Sequence, residues 1–259
     1  MKEFYTENDV IYCEALSALP FVTHGFFTRN GGVSSLSHTA TMNLGYGRGD
    51  PDETVDGNFR ILRTKLGIGS APIVSAHQAH TKKVVYADGS VTHFDNIDGF
   101  VTDKPNVALL VKTADCQPIL LCDEKAHIIG ACHAGWRGTV AGIAAETVAA
   151  MTKLGADPVN IKAACGPCIS VCCFEVGRDF VDTVSYFSDE FLQFITKEDG
   201  KYHADIKAMN KHILMCAGVP EENIFVSPDC TCCDPDTFFS HRYSKGLRGT
   251  MGSVIMMKY

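Results

Sequence analysis

The sequence predicts an α+β (mixed α/β) fold: a single domain over residues 1–259 with mixed β-sheets flanked by helices. Three observations predict it. Short apolar runs crowd together between Asn106 and Gly135, as paired strands do. Stretches with helical spacing of apolar residues flank them at 50–67, 139–154, 178–195 and 204–217. A polar turn between two of the runs requires antiparallel pairing, so the sheet is not of the all-parallel kind.

The elements follow in order. HGFFTRNGGVS, from His24 to Ser34, reads as a strand entering a Gly-Gly turn. Asp50, Pro51 and Glu53 form a helix start: a cap, a proline at the first helical position and a carboxylate three residues after the cap. Val55, Phe59, Leu62 and Leu66 give that helix its buried stripe, and Gly67 ends it. SAHQAH, holding His77 and His80, precedes a strand KVVYA. The runs VALLV, PILLC and HIIGAC come next, with Asp123, Glu124, Lys125 and Ala126 as a hairpin turn. The helix at 139–154 buries Val140, Ile143, Ala144, Val148 and Met151 and stops at Gly155. Strands are expected at Ile161–Cys165, Ile224–Val226 and 254–257.

Composition limits the function. With 46% hydrophobic and 20% charged residues in 259, the chain can build a core and is not disordered. A net charge of -7 gives no electrostatic reason to bind nucleic acid or an anionic membrane. Glu3, Glu7 and Asp9 interrupt the N-terminal apolar residues, so no secretion signal is expected, and no run approaches the roughly 20 apolar residues of a membrane span. A cytoplasmic protein is the expectation. The twelve cysteines then read as thiols, metal ligands or a nucleophile rather than disulfides.

The chemistry centres on Cys116 and His133. An even hairpin loop pairing 122 with 127 sets 116 opposite 133, where Cβ atoms lie about 5 Å apart. That spacing suits two ligands of one metal or a Cys–His catalytic pair. Arg137, after Gly135 and just before a helix start, reads either as an anion site or as a surface salt-bridge partner.

QAH at 78–80, TADCQPIL at 113–120, HAGWRG at 133–138 and ACGPCISVCCFEVG at 164–177 resemble the YfiH/LACC1 family. FFTRNGGVS at 26–34, MNLGYGRGD with Asn58 and Arg60 downstream, and CTCCDPDTFFSHRY at 230–243 extend the likeness over nearly the whole chain. The family was formerly labelled polyphenol oxidase or laccase and is now described as purine nucleoside phosphorylases; its fold resembles that of a bacterial deamidating toxin. The resemblance implies zinc held by His80, Cys116 and His133, with His77 outside the set. Three protein ligands leave a tetrahedral ion one open position, the mark of a catalytic site. It also implies purine nucleosides and phosphate as reactants: phosphorolysis of adenosine, inosine, guanosine and methylthioadenosine, and deamination of adenosine. For phosphate or sugar the expected residues are Asn43, Arg60 and Arg137; for proton transfer, Asp115 and Glu175.

Other readings stay open. Cys116 and His133 also read as the nucleophile and base of a cysteine hydrolase, and the chain as a partner protein that merely keeps the pocket. A copper-dependent oxidase fits less well, since no H-x-H pair occurs, although a His/His/Cys set also takes copper in vitro. Cys165, Cys168, Cys172, Cys173, Cys230, Cys232 and Cys233 are read as small buried hydrophobes rather than a second metal cluster. GYGRGD fails as a dinucleotide loop because Asp50 stands where the third glycine belongs. His241 and Arg242 line the pocket or face solvent.

Overall fold

The apolar runs form strands buried on both faces in a computed structural model, which describes residues 3–258. Along Ala108–Thr113, Leu109 and Val111 enter one core, while Ala108 and Leu110 enter another. Along Gln117–Asp123, Leu120 and Cys122 join that first core, and Ile119 and Leu121 face a third. A strand covered on both sides has no polar alternation, which is why these segments read as continuous apolar runs.

Two large sheets result. The seven-stranded sheet has the order Phe4–Glu7, Val10–Cys13, Val22–Phe27, Met251–Met257, Ala108–Thr113, Ile73–His77 and His93–Asp95. The six-stranded sheet has the order Ile224–Val226, Ile161–Cys165, Gln117–Asp123, Ile128–Ala134, Gly99–Thr102 and Val84–Tyr86. Both have antiparallel centres; the six-stranded sheet is parallel at both edges and the seven-stranded sheet at one, where Ile73–His77 lies parallel to both its neighbours. A small third sheet joins Glu175–Val176, Lys201–Ala204 and Ile195–Glu198. The first core lies between the large sheets. Helix Asp52–Leu66 covers the outer face of the seven-stranded sheet through Leu62 and Leu66. Helices Ile143–Lys153 and Ile206–Cys216 cover the six-stranded sheet. The layers run helix, sheet, sheet, helix, in keeping with the expected α+β class.

The structure departs from the local sequence pattern in four places. The helix at 52–66 has Pro51 at its cap, not Asp50, whose buried carboxylate accepts from Thr39 Oγ1 and Asn43 Nδ2 at 2.8 Å each. Gly67 closes it in the left-handed conformation, φ 62°, as expected. The helix expected at 139–154 is two, Trp136–Val140 and Ile143–Lys153, broken where Gly142 takes φ 90°. The helix expected to reach Ile195 ends at Phe187 and continues as a 3₁₀ segment, Asp189–Phe194. The central hairpin pairs Asp123 with Ile128, so His133 faces Pro118 rather than Cys116. Asp123 makes this turn, its Oδ1 accepting from the backbone N–H groups of Lys125 and Ala126 at 2.8 and 3.0 Å. The shift is two residues, and strand side chains alternate with period two, so Cys116 and His133 still share a face.

Asn58 ties the outer helix to the loop at 33–43. Its Nδ2 donates to Ser34 Oγ and to the carbonyls of Thr41 and Asn43, and its Oδ1 accepts from Val33 N–H. The residue is fully buried. Asn58→Ala leaves these groups without partners and is expected to cost about 3 kcal/mol, read as a lower urea midpoint at unchanged slope.

Candidate metal centre

Three strand ends meet at one edge of the inter-sheet layer. His80 follows strand Ile73–His77, Cys116 precedes Gln117–Asp123, and His133 lies near the end of Ile128–Ala134. One nitrogen of each imidazole and the Cys116 sulfur all lie within 4.8 Å of one another. His80 Nε2 is 3.7 Å from Cys116 Sγ. The N···S edge of a tetrahedral zinc site is about 3.6 Å, from bond lengths near 2.05 and 2.3 Å. The donor set thus has the chemistry and the size to hold a divalent ion.

The chain builds this triad around Asp98, which is fully buried. Its carboxylate accepts from the backbone N–H groups of Ala79, His80 and Thr81 at 3.2, 3.1 and 2.7 Å, and from Thr81 Oγ1 at 2.9 Å. His80 adopts φ 59°, a left-handed conformation that turns successive N–H groups toward one anion. On its other side Asp98 Oδ1 lies 2.8 Å from His133 Nδ1. That contact leaves Nε2 as the His133 nitrogen available to a metal, as in carboxylate–histidine–metal arrangements. Burial alone would push the Asp98 carboxyl up; the His133 and Thr81 hydrogen bonds outweigh it and bring it down to about 2.

Two further devices hold the ligands. Gln78 forms a reciprocal amide pair with Lys112, Nε2 donating to the carbonyl and Oε1 accepting from the N–H, both at 2.7 Å. This fixes the QAH segment against its neighbouring strand. Gly135 lets the backbone pass under the ligands: a Cβ there would lie 2.3 Å from His80 Cδ2 and 3.2 Å from Cys116 Sγ.

Without metal the triad is a polarised pair. Burial would raise the Cys116 thiol, but the facing His133 cation and hydrogen bonds from both imidazoles bring it down to about 6. Burial would lower His133, yet the Cys116 thiolate and the Asp98 carboxylate hold it up at about 9.

The triad opens into a cavity of about 370 Å³, also lined by Tyr46, Arg48, His77, His93, Lys112 and Arg248. No Asp or Glu is among its described lining residues. Lys112 is drawn down by burial and by Arg48, and Arg248 by burial and by Arg48. The buried Nε of Arg248 has no partner. Cations that repel one another, with no carboxylate between them, make a site for an anion.

Of the residues singled out from sequence, the structure brings together His80, Cys116 and His133. The others lie off the cavity. Asn43 is buried and bonds Gly45, Asp50 and Thr250. Arg60 lines a neighbouring cavity that shares Tyr46 and His93. Arg137 is exposed inside its helix and stacks on Trp136, 4.2 Å from the ring centroid. Glu175 is exposed and pairs with Lys201 at 2.8 Å. Asp115 is buried and accepts from Thr231 Oγ1 and Arg242 N–H, both at 2.7 Å. The side chains of Asn43, Arg137, Glu175 and Asp115 are engaged away from the cavity.

Sequence reasoning passed over Asp98, Arg48, Lys112 and Arg248. Lys112 carried a signal, a charge inside an apolar strand run. Arg48 sat in the glycine loop set aside as a failed dinucleotide motif. Asp98 and Arg248 carried none.

Residues 23–258 match the family described as multi-copper polyphenol oxidoreductase laccase. The chain is 37% identical over 234 residues to a protein of Deinococcus radiodurans named purine nucleoside phosphorylase, covering 90% of this chain and 88% of that one. It is 35% identical over 228 residues to adenosine deaminase RL5 of an unknown prokaryotic organism, covering 84% and 87%. The crystal structure of Bacillus licheniformis hypothetical protein YfiH superposes with a TM-score of 0.92 at 31% identity, covering all of both chains.

Two outcomes follow from the geometry. Asp98→Asn is expected to weaken metal affinity by about 10- to 100-fold, measured by competition with a chromophoric chelator, because His133 loses its orienting anion. In the metal-free chain, the alkylation rate of Cys116 by iodoacetamide is expected to rise with pH through an inflection near 6, since the thiolate forms as pH passes that value. An inflection at the ordinary thiol value, about 8.5, would remove the pair.

Proposed function

The chain belongs to the multi-copper polyphenol oxidoreductase laccase family, that of the YfiH proteins, and from that premise we propose that it is a zinc-dependent purine nucleoside phosphorylase with adenosine deaminase activity. Its substrates are adenosine, inosine, guanosine and methylthioadenosine. The observation that carries this reading is the cavity in which the His80/Cys116/His133 triad faces Arg48, Lys112 and Arg248 with no lining carboxylate. The names of the relatives, purine nucleoside phosphorylase and adenosine deaminase, support it.

Phosphorolysis needs a bound dianion beside C1′ of the ribose. Arg48, Lys112 and Arg248 hold phosphate there and orient one oxygen. A C1′–O bond forms as the C1′–N9 bond breaks, its electron pair leaving with the purine. His77 and His93, the cavity's imidazoles outside the triad, can supply the proton that N7 of the departing base takes up. The exposed ring of Tyr46 offers a face on which a purine can stack. A divalent ion, when bound, supplies a Lewis acid with an open position that can activate water. Mixed imidazole and thiolate donors suit zinc and also accept copper.

A second reading rests on one observation. Asp98, His133 and Cys116 line up as the orienting acid, base and nucleophile of a cysteine hydrolase. Turnover abolished by a chelator and restored by zinc favours the metal; turnover that survives chelation but not alkylation of Cys116 favours the thiol.

Incubation with adenosine is expected to release adenine and ribose 1-phosphate only when phosphate is present, and inosine without it. Formation of none of these products would overturn the proposal. Lys112→Ala and Arg48→Ala are each expected to raise the KM for phosphate at least tenfold, about 1.4 kcal/mol, while Arg137→Ala leaves it nearly unchanged.

A further inference from the structure

Four thiols gather on the opposite side of the Asp115 loop. Cys172, Cys173, Cys230 and Cys233 bring their sulfurs within 4.8 Å of one another. Cys172 Sγ lies 3.8 Å from Cys173 Sγ, 3.8 Å from Cys230 Sγ and 3.5 Å from Cys233 Sγ; Cys173 and Cys233 are 3.3 Å apart. The edge of a ZnS₄ tetrahedron is about 3.8 Å, from Zn–S bonds near 2.3 Å. None of the four lines the cavity of the first centre. The expectation that these cysteines are buried hydrophobes fails here, because Cys172 and Cys233 are exposed and Cys173 and Cys230 half-buried. It holds for Cys165 and Cys168, whose C-x-x-C spacing suggested zinc but which are buried.

The backbone around the thiols resembles that of a metal knuckle. Cys230-x-x-Cys233 closes a turn in which Cys233 N–H and Asp234 N–H both donate to the Cys230 carbonyl, at 3.2 and 3.3 Å. The facing turn begins at Ser170, whose carbonyl accepts from Cys173 N–H and Phe174 N–H at 3.0 Å each. Ser170 N–H donates to Cys230 Sγ at 3.3 Å, a bond that stabilises a thiolate. The Arg242 guanidinium donates to the Cys173 carbonyl at 2.9 Å and brings a positive charge beside the cluster.

We propose that Cys172, Cys173, Cys230 and Cys233 bind a second, structural zinc ion as a closed four-thiolate site. Binding converts four thiols to thiolates and releases their protons, leaving a centre of net charge -2 partly offset by Arg242. The ion pins the turn at 170–173 to the turn at 230–233. Both turns reach Asp115: Ile169 N–H donates to its carbonyl at 2.9 Å, and Thr231 Oγ1 to its carboxylate at 2.7 Å. Asp115 adopts φ 90° and immediately precedes Cys116. The second ion therefore steadies the loop that presents the sulfur ligand of the first.

Elemental analysis of the full chain, purified under reductant, tests this. Two zinc per chain are expected, falling to one in Cys116→Ser and to one in Cys230→Ser. A wild-type chain that holds a single ion, lost in Cys116→Ser, overturns the proposal, as does a disulfide joining any two of the four thiols. Should Cys230→Ser fail to fold, cobalt(II) loaded into Cys116→Ser decides: intense sulfur-to-cobalt charge transfer of a four-thiolate centre is expected, and its absence overturns the assignment.

Discussion

The candidate site depends on one buried anion. Asp98 has no solvent contact, yet its charge is supported by three backbone N–H groups, one hydroxyl and one imidazole. Burying a carboxylate without such partners would cost several kcal/mol or force its protonation. Because the partners come from 79–81 and from His133, satisfying Asp98 brings His80 and His133 together. The left-handed turn at His80 is strained for a residue with a side chain, by about 1–2 kcal/mol, and the anion it encloses offsets that strain. Metal-ligand geometry here is thus a consequence of solving an electrostatic problem in the core.

That solution also sorts the cysteines. Cys122 and Cys132 sit in strands among apolar side chains, and burial pushes both thiols up to about 12, where they remain neutral. Cys116 is set apart by two imidazoles, one of them held cationic by Asp98. The same side chain is a small hydrophobe or a metal ligand depending on whether a positive charge faces it.

Much of this was legible in sequence, and the limits have physical causes. The strands at Ile161–Cys165 and Ile224–Val226 and the stop at Gly67 follow from local pattern and backbone freedom. The hairpin register was off by two because Asp123 caps its own turn, an interaction that residue type alone does not distinguish from a loop position. Parity rescued the conclusion that Cys116 and His133 face the same way. The break at Gly142 lay inside an uninterrupted apolar stripe, so periodicity ran straight through it. Glu175 and Asp115 stood out as carboxylates within the motifs, but their partners, Lys201 and Thr231, are set by tertiary packing, and Arg137, expected beside a helix start, lies inside the helix over the ring of Trp136. The cations that do line the cavity come from three segments, around residues 48, 112 and 248, that only the sheet order brings together.

Sheet order also explains why one end of the molecule can carry all the chemistry. Strand Met251–Met257 lies between Val22–Phe27 and Ala108–Thr113, and the chain that enters it carries Arg248 to the same edge as Lys112. The partner sheet delivers His133 and Cys116 at that edge from its two central strands. Antiparallel strands of the two sheets end together there, so the open end of a dry, two-sided core becomes a cavity with a rigid floor. Charges at such a mouth are partly desolvated, which strengthens their hold on an anion relative to the same charges on an open surface. The rigid floor keeps the ligand atoms apart at the spacing an ion needs, while the cations stand on the rim. An ion held at the floor and an anion held at the rim would attract one another, so each would favour the binding of the other without any change of fold.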